Sequence, residues 1–217
     1  MKNDLTELVF ILDRSGSMAG LESGTIGGYN GFLDKQRALP GEALVTTVLF
    51  DDRYELLHDR IALPGVRPVT DRDYFVRGST ALLDAVGRTI EKIANAHQHT
   101  GESQRPGKTL FVVTTDGLEN ASREFTFQRI QQMITRQKEE FGWEFLFLGA
   151  NIDAAATAGK MGIQADRAVN FHADSQGTKL NYQVLSDAAG SVRAGTPLGA
   201  DWKESINEDF RSRAPKK

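Results

Sequence analysis

Leu8-Val9-Phe10-Ile11-Leu12-Asp13-Arg14-Ser15-Gly16-Ser17 is the stretch on which the reading of this chain turns. Five apolar residues follow one another without a polar break. They give way at once to a carboxylate, an arginine and two serines around a glycine. An apolar run this short and continuous reads as a strand covered on both faces, as in a parallel sheet. Ala43–Phe50, Thr109–Val113 and Phe145–Leu148 have the same character, and Arg167–Phe171 is a weaker candidate suited to an edge.

Helical spacing fills the intervals. Ile26, Tyr29, Phe32, Leu33 and Gln36 mark one helix, despite Gly27, Gly28 and Gly31, which lower its propensity. Leu83, Val86, Ile90 and Ile93 mark a second. Phe127, Ile130, Met133, Ile134 and Phe141 mark a third, with Gly142 placed to end it. Asp153–Met161 is alanine-rich and helical, and Leu180, Val184, Ala188 and Val192 define a last helix capped by Ser175 or Thr178. Asp51-Asp52-Arg53 reads as a hairpin turn leading into Tyr54–Leu57. The alternation predicts an α/β fold, a doubly wound, Rossmann-like, mostly parallel sheet with one antiparallel edge strand and helices on both faces. Residues 1–195 are expected to form one domain. Residues 196–217 read as a polar tail, in which Trp202, Ile206 and Phe210, four residues apart, suggest a short helix docked on that domain.

The 217 residues carry a formal net charge of −3, with 40% hydrophobic and 25% charged residues, the mix of a folded soluble domain. That balance gives no electrostatic case for nucleic acid. The absence of cysteine excludes a disulfide scaffold, a thiolate metal site and a cysteine nucleophile. No run approaches the roughly 20 apolar residues of a membrane span, and the opening apolar run is too short for a secretory signal. The expectation is a soluble, cytoplasmic monomer that engages neither nucleic acid nor membrane.

In a doubly wound sheet, ligands bind at the carboxyl ends of strands. Three fragments fall there. Asp13-Arg14-Ser15-Gly16-Ser17 follows the first strand, Gly78-Ser79-Thr80 precedes the second helix, and Thr114-Thr115-Asp116-Gly117 closes the strand begun at Thr109. Together they supply hydroxyls from Ser15, Ser17 and Thr80 and carboxylates from Asp13 and Asp116. An all-oxygen set without His or Cys suits a hard cation, Mg²⁺ or Mn²⁺, over zinc. Taken singly, each fragment has a plainer reading: Asp and Ser favour turns and caps, and Thr80 alone suits the amino end of a helix.

The combination resembles the three-part metal-ion-dependent adhesion site of von Willebrand factor type A domains. The likeness extends over roughly residues 5 to 195, strand and helix order included. It implies that Ser15, Ser17 and Thr80 contact the ion and that Asp13 and Asp116 hold it through water. It further implies a non-enzymatic, metal-dependent protein-binding module, whose ion accepts an Asp or Glu carboxylate from a partner protein. As a whole the chain looks most like the small stand-alone intracellular members of that family found in bacteria.

The competing reading is a Mg²⁺-dependent phosphohydrolase with Asp13 as phosphoryl nucleophile. Phosphatases of that kind carry a second aspartate two residues on, as acid and base, where this chain has Ser15. Neither a phosphate-cradling Gly-Lys-Ser/Thr loop nor a Gly-x-Ser-x-Gly elbow is present. Outside the motif, His97 and His99 read as solvated residues at a helix end, and Trp143 as core packing. Arg14 reads as a solvated surface arginine, or as a guide for an acidic partner.

Overall fold

Side-chain alternation along the first strand sets the layers. In β1 (Lys2–Asp13), Leu8, Phe10 and Leu12 enter one apolar cluster, and Val9 and Ile11 enter another. Successive side chains of a strand point to opposite faces, so a run apolar at every position must be covered twice. Here α1 (Glu22–Arg37) and α5 (Ser175–Ala194) cover the first face. The second is covered by α2 (Leu82–Gln98), α3 (Phe127–Phe141) and α4 (Ala154–Lys160). These elements come from a computed structural model that describes residues 1–213; the last four residues of the expected polar tail lie outside them.

The remaining strands are β2 (Glu42–Phe50), β3 (Tyr54–Ala62), β4 (Pro106–Thr115), β5 (Glu144–Ala150) and β6 (Ala168–Phe171). They form one six-stranded sheet in the order β3-β2-β1-β4-β5-β6. All neighbours run parallel except the β2–β3 hairpin, so the doubly wound sheet with one antiparallel edge strand is present as expected. Because β1 lies between β2 and β4, the chain winds away from it on both sides. The loops after β1 and β4 therefore part at the carboxyl ends of these strands and open a crevice there.

Local signals account for most boundaries. Gly142, at φ +66°, ends α3 in the left-handed conformation that glycine adopts without steric cost. The cap of α5 is neither Ser175 nor Thr178 but Asp174, whose carboxylate accepts the Gly177 N–H at 2.8 Å. A further helix, α6 (Glu204–Ser212), packs on β6 and α5. Ile206 is buried beneath it, Phe210 stacks on His172, and the preceding Trp202 donates its Nε1–H to the Asp166 carbonyl at 2.8 Å. Among the described residues, no helix is long and apolar enough to cross a membrane.

His97 corrects the expectation of a solvated side chain. It is buried, with its Nε2 3.3 Å from Glu7 Oε2 and its ring edge-on to Trp143. The reason lies in helical phase: residue 97 continues the three-and-four spacing of Leu83, Val86, Ile90 and Ile93, which turns it back onto the sheet. His99, two residues on, is exposed as expected.

Gly27 and Gly28 provide a paired test of the α1–α5 packing. A methyl group at Gly28 would stand 2.2 Å from the Tyr182 ring, whereas nothing lies within 4 Å of one at Gly27. Gly28→Ala should destabilise the fold by about 1–3 kcal/mol through overpacking. Gly27→Ala should stabilise it by roughly 0.5–1 kcal/mol, by reducing the freedom of the unfolded chain. Denaturant unfolding of the two variants should show these opposite signs.

Candidate metal centre

The sequence-predicted residues converge at the crevice. Asp13 closes β1, and the chain turns sharply after it, with Ser15 donating its backbone N–H to Asp13 Oδ1 at 2.7 Å. That turn brings Ser15 Oγ and Ser17 Oγ to 3.0 Å of each other, and Thr80 Oγ1 reaches Ser15 Oγ at 3.0 Å from the loop before α2. Asp116 follows β4 directly. Next to it, Gly117 supplies the floor: a Cβ there would press to 3.0 Å on both Ser17 Oγ and Thr80 Oγ1. Three hydroxyls and the Asp116–Gly117 turn thus share one small cradle that a side chain at 117 would invade.

The two carboxylates differ in how they are satisfied. Asp13 is fully buried, and Oδ2 accepts the Thr115 hydroxyl at 2.6 Å while Oδ1 takes the Ser15 N–H. Burial nevertheless pushes its carboxyl up to about 6, with the charge of Asp116 adding to the effect. Asp116 is 3% exposed, and neither of its oxygens has a hydrogen-bond partner. Burial raises its carboxyl too, against an opposing influence of the nearby Ser17 hydroxyl. A buried carboxylate without donors is costly unless a cation balances it. The donor set is therefore chemically fitted to a hard divalent ion, with Asp116 the group most in need of one.

The sequence did not single out several residues that build this cradle. Asn120 clamps Thr80 from both sides, its Oδ1 accepting the Thr80 N–H at 2.9 Å and its own N–H donating to the Thr80 carbonyl at 3.1 Å. Tyr74 donates its hydroxyl to the Asp13 carbonyl. Thr115, adjacent to Asp116 in the quoted motif, is the hydroxyl that orients Asp13. Thr80 is not itself a cap: α2 begins at Leu82, and its first amides donate to Glu119 Oε2 (from Leu83) and Ser122 Oγ (from Asp84). The Glu119 carboxylate thus lies against the positive end of α2, which would otherwise oppose a cation in the cradle.

Arg14 corrects the expectation of a solvated or partner-guiding side chain. It is fully buried, with Nε 2.9 Å from Asp51 Oδ2 and Nη2 2.7 Å from Glu55 Oε2. Its backbone N–H extends the β1–β2 pairing by donating to the Phe50 carbonyl, which turns the side chain toward the two carboxylates of the neighbouring hairpin. Asp51 keeps the expected turn role through its Oδ1 contact with the Arg53 N–H, and it also binds Arg77 at 2.7 Å. Arg77 in turn donates its backbone N–H to the Arg14 carbonyl. The charges around Arg14 therefore brace the Ser15–Ser17 loop from beneath.

Among solved structures, the chain is similar to a von Willebrand factor type A protein from Catenulispora acidiphila (13% identity, TM-score 0.58, 86% of this chain and 43% of that one). It is similar to proximal thread matrix protein 1 from the mussel byssus, solved with a zinc-occupied MIDAS motif (14%, 0.57, 85% and 46%). It is similar also to the vWF domain of the type V pilus tip protein Mfa5 from Porphyromonas gingivalis (11%, 0.60, 89% and 97%). The chain has the von Willebrand factor type A fold. It spans less than half the length of the first two of these proteins. No protein-family model matches the sequence, and no curated protein matches it. At such low identity the likeness carries the fold, and the reading of the cradle stands on the geometry above.

Asp116→Asn separates the cost of the site from its use. It replaces a buried, unpartnered charge with a neutral amide, which costs less to bury, so the metal-free protein at neutral pH should gain stability. The same change should abolish stabilisation by Mn²⁺. Thermal unfolding of both proteins with Mn²⁺ and with EDTA checks the two halves together.

Proposed function

We propose that this chain is a metal-dependent protein-binding module, not an enzyme, and that its ion is Mg²⁺ or Mn²⁺. The observation that carries the reading is the Asp116 carboxylate, buried without a donor beside three converging hydroxyls. Ser15, Ser17 and Thr80 would hold the ion by neutral oxygens, and Asp13 and Asp116 would balance its charge. An ion held by neutral hydroxyls supplies an open position for an anionic oxygen. The partner in this reading presents an Asp or Glu carboxylate to that position. The zinc-occupied motif of the mussel protein supports metal binding by this type of site.

Phosphoryl transfer fits the geometry less well. Asp13 would need a free oxygen facing a substrate, yet its side chain is fully buried and both oxygens are engaged, by the Ser15 N–H and the Thr115 hydroxyl. The second aspartate of such phosphatases, two residues after the nucleophile, is Ser15 here. The carboxylate is positioned to shape the loop, not to attack.

At ten times its dissociation constant, Mn²⁺ should stabilise the protein by about 1.4 kcal/mol, roughly 3–6 °C in melting temperature for a domain of this size. Affinity capture from lysate should retain a partner in Mn²⁺ and lose it in EDTA, and Thr80→Ala should lose the partner while remaining folded. Capture that survives both changes would place the binding surface elsewhere.

The pH dependence follows from Asp13. A proton and the ion compete for this carboxylate, whose affinity for protons burial has raised to about 6. Mn²⁺ affinity should therefore hold near neutral pH and fall as pH drops through about 6, by up to tenfold per unit below it. Calorimetric titrations at about pH 7 and about pH 5 measure the ratio.

A further inference from the structure

Two arginines, Arg14 and Arg193, are more than nine-tenths buried among the described residues. Arg14 lies between two carboxylates. Arg193, near the carboxyl end of α5, has none. Its Nη1 donates to the Gln36 carbonyl at 2.5 Å and to Gln36 Oε1 at 3.2 Å, and its Nη2 to the carbonyls of Pro40 (3.2 Å) and Gly41 (2.9 Å). These oxygens are all neutral. They satisfy donors and brace the end of α1, where a cation is favoured, but they leave the charge unbalanced. The fifth donor, Nε–H, has no partner.

Arg193 lines a cavity of about 320 Å³ at the pole of the sheet where β1 and β2 begin. The distance from the metal loop is most of the length of β1, on the order of 26 Å between residues 5 and 13 at the usual strand rise. Leu5, Leu39, Leu44, Leu63 and Pro64 give it apolar walls. Nearby carboxylates are committed elsewhere: Glu42 at the rim pairs with Lys2 at 2.7 Å, and Asp34 pairs with Arg37. The size falls at the lower end of small-molecule sites, about 300–1,000 Å³.

We propose that this cavity binds a small amphiphilic carboxylate, a medium-chain fatty acid or a compound of the same build, with its head on Arg193 and its chain among the leucines. A buried cation needs an anion more than it needs further carbonyls, and leucine walls reward an aliphatic body, about 25 cal/mol for each Å² removed from water. The ligand and the metal occupy opposite ends of the sheet, so this site stands or falls independently of the metal reading.

The test is a methyl-detected NMR titration of the whole chain with octanoate, and with octanol as the uncharged analogue. Saturable shifts should centre on the methyl groups of Leu39, Leu44 and Leu63, with octanoate binding at least tenfold more tightly than octanol. Arg193→Met should bring octanoate down to the level of octanol. Since Arg193 also holds α1 in place, Ala62→Trp provides a second variant. Ala62 lines the cavity and is exposed at the end of β3, so the larger ring should fill the mouth, leave the fold intact and abolish binding. Equal affinity for octanol and octanoate, no saturable shift at millimolar octanoate, or octanoate binding unchanged by Ala62→Trp would each overturn the proposal.

Discussion

A carboxylate buried without a hydrogen bond is the constraint around which the carboxyl edge of this sheet is arranged. Asp116 is held at the end of β4 with neither oxygen partnered, and the fully buried Asp13 lies close enough for the charge of Asp116 to raise its pKa. Folding alone gives no reason to place two such groups together, because each disfavours the ionisation of the other. The surrounding structure holds them there rigidly. Thr115 and the Ser15 amide fix Asp13, Asn120 clamps Thr80 on both its amide and its carbonyl, and Gly117 keeps the space between the hydroxyls clear. A local arrangement that costs stability, yet is braced from every side, is the mark of a site kept for a ligand.

The sheet makes that bracing possible. With β1 central and its neighbours reached by opposite crossovers, the loops after β1 and β4 and the loop before α2 meet at one edge. Beneath them the β2–β3 hairpin contributes Asp51 and Glu55 to Arg14, and Asp51 also holds Arg77, whose backbone returns to the Arg14 carbonyl. The serine loop is thus tied to the hairpin by the buried Arg14–Asp51 ion pair and to β4 through the Asp13–Thr115 contact. Removing one partner of such a buried pair leaves an unbalanced charge and costs far more than an exposed pair would. Arg14 accordingly acts on the site through the fold, by holding the loop from which Ser15 and Ser17 project.

Much of this was legible in the sequence, because the strands are short and apolar at every position and the motif residues stand at strand ends. Continuous runs such as Leu8–Leu12 announce a sheet covered on both faces, and oxygen-bearing residues just after them fall at its carboxyl edge. The misreadings share a cause. Arg14 and His97 are polar residues whose burial depends on partners distant in the chain: Asp51 and Glu55 for the first, Glu7 for the second. Local pattern carried a usable signal only for His97, through the phase of α2. Asn120 gave no signal beyond its place four residues after Asp116, since a clamp on Thr80 requires two loops to be seen side by side. Asp174 suits the α5 cap by residue type as well as the adjacent Ser175 does, so local sequence does not separate the two.

Ser15, Ser17, Thr80, Asp13 and Asp116 are proposed to hold one divalent ion between them. This is tested most directly by a crystal structure grown in Mn²⁺, with anomalous data collected near the manganese edge. A single strong anomalous peak is expected in the cradle, bonded to Ser15 Oγ, Ser17 Oγ and Thr80 Oγ1 and flanked by Asp13 and Asp116. A map with no peak there at saturating Mn²⁺, or with its only peak elsewhere on the molecule, would contradict it.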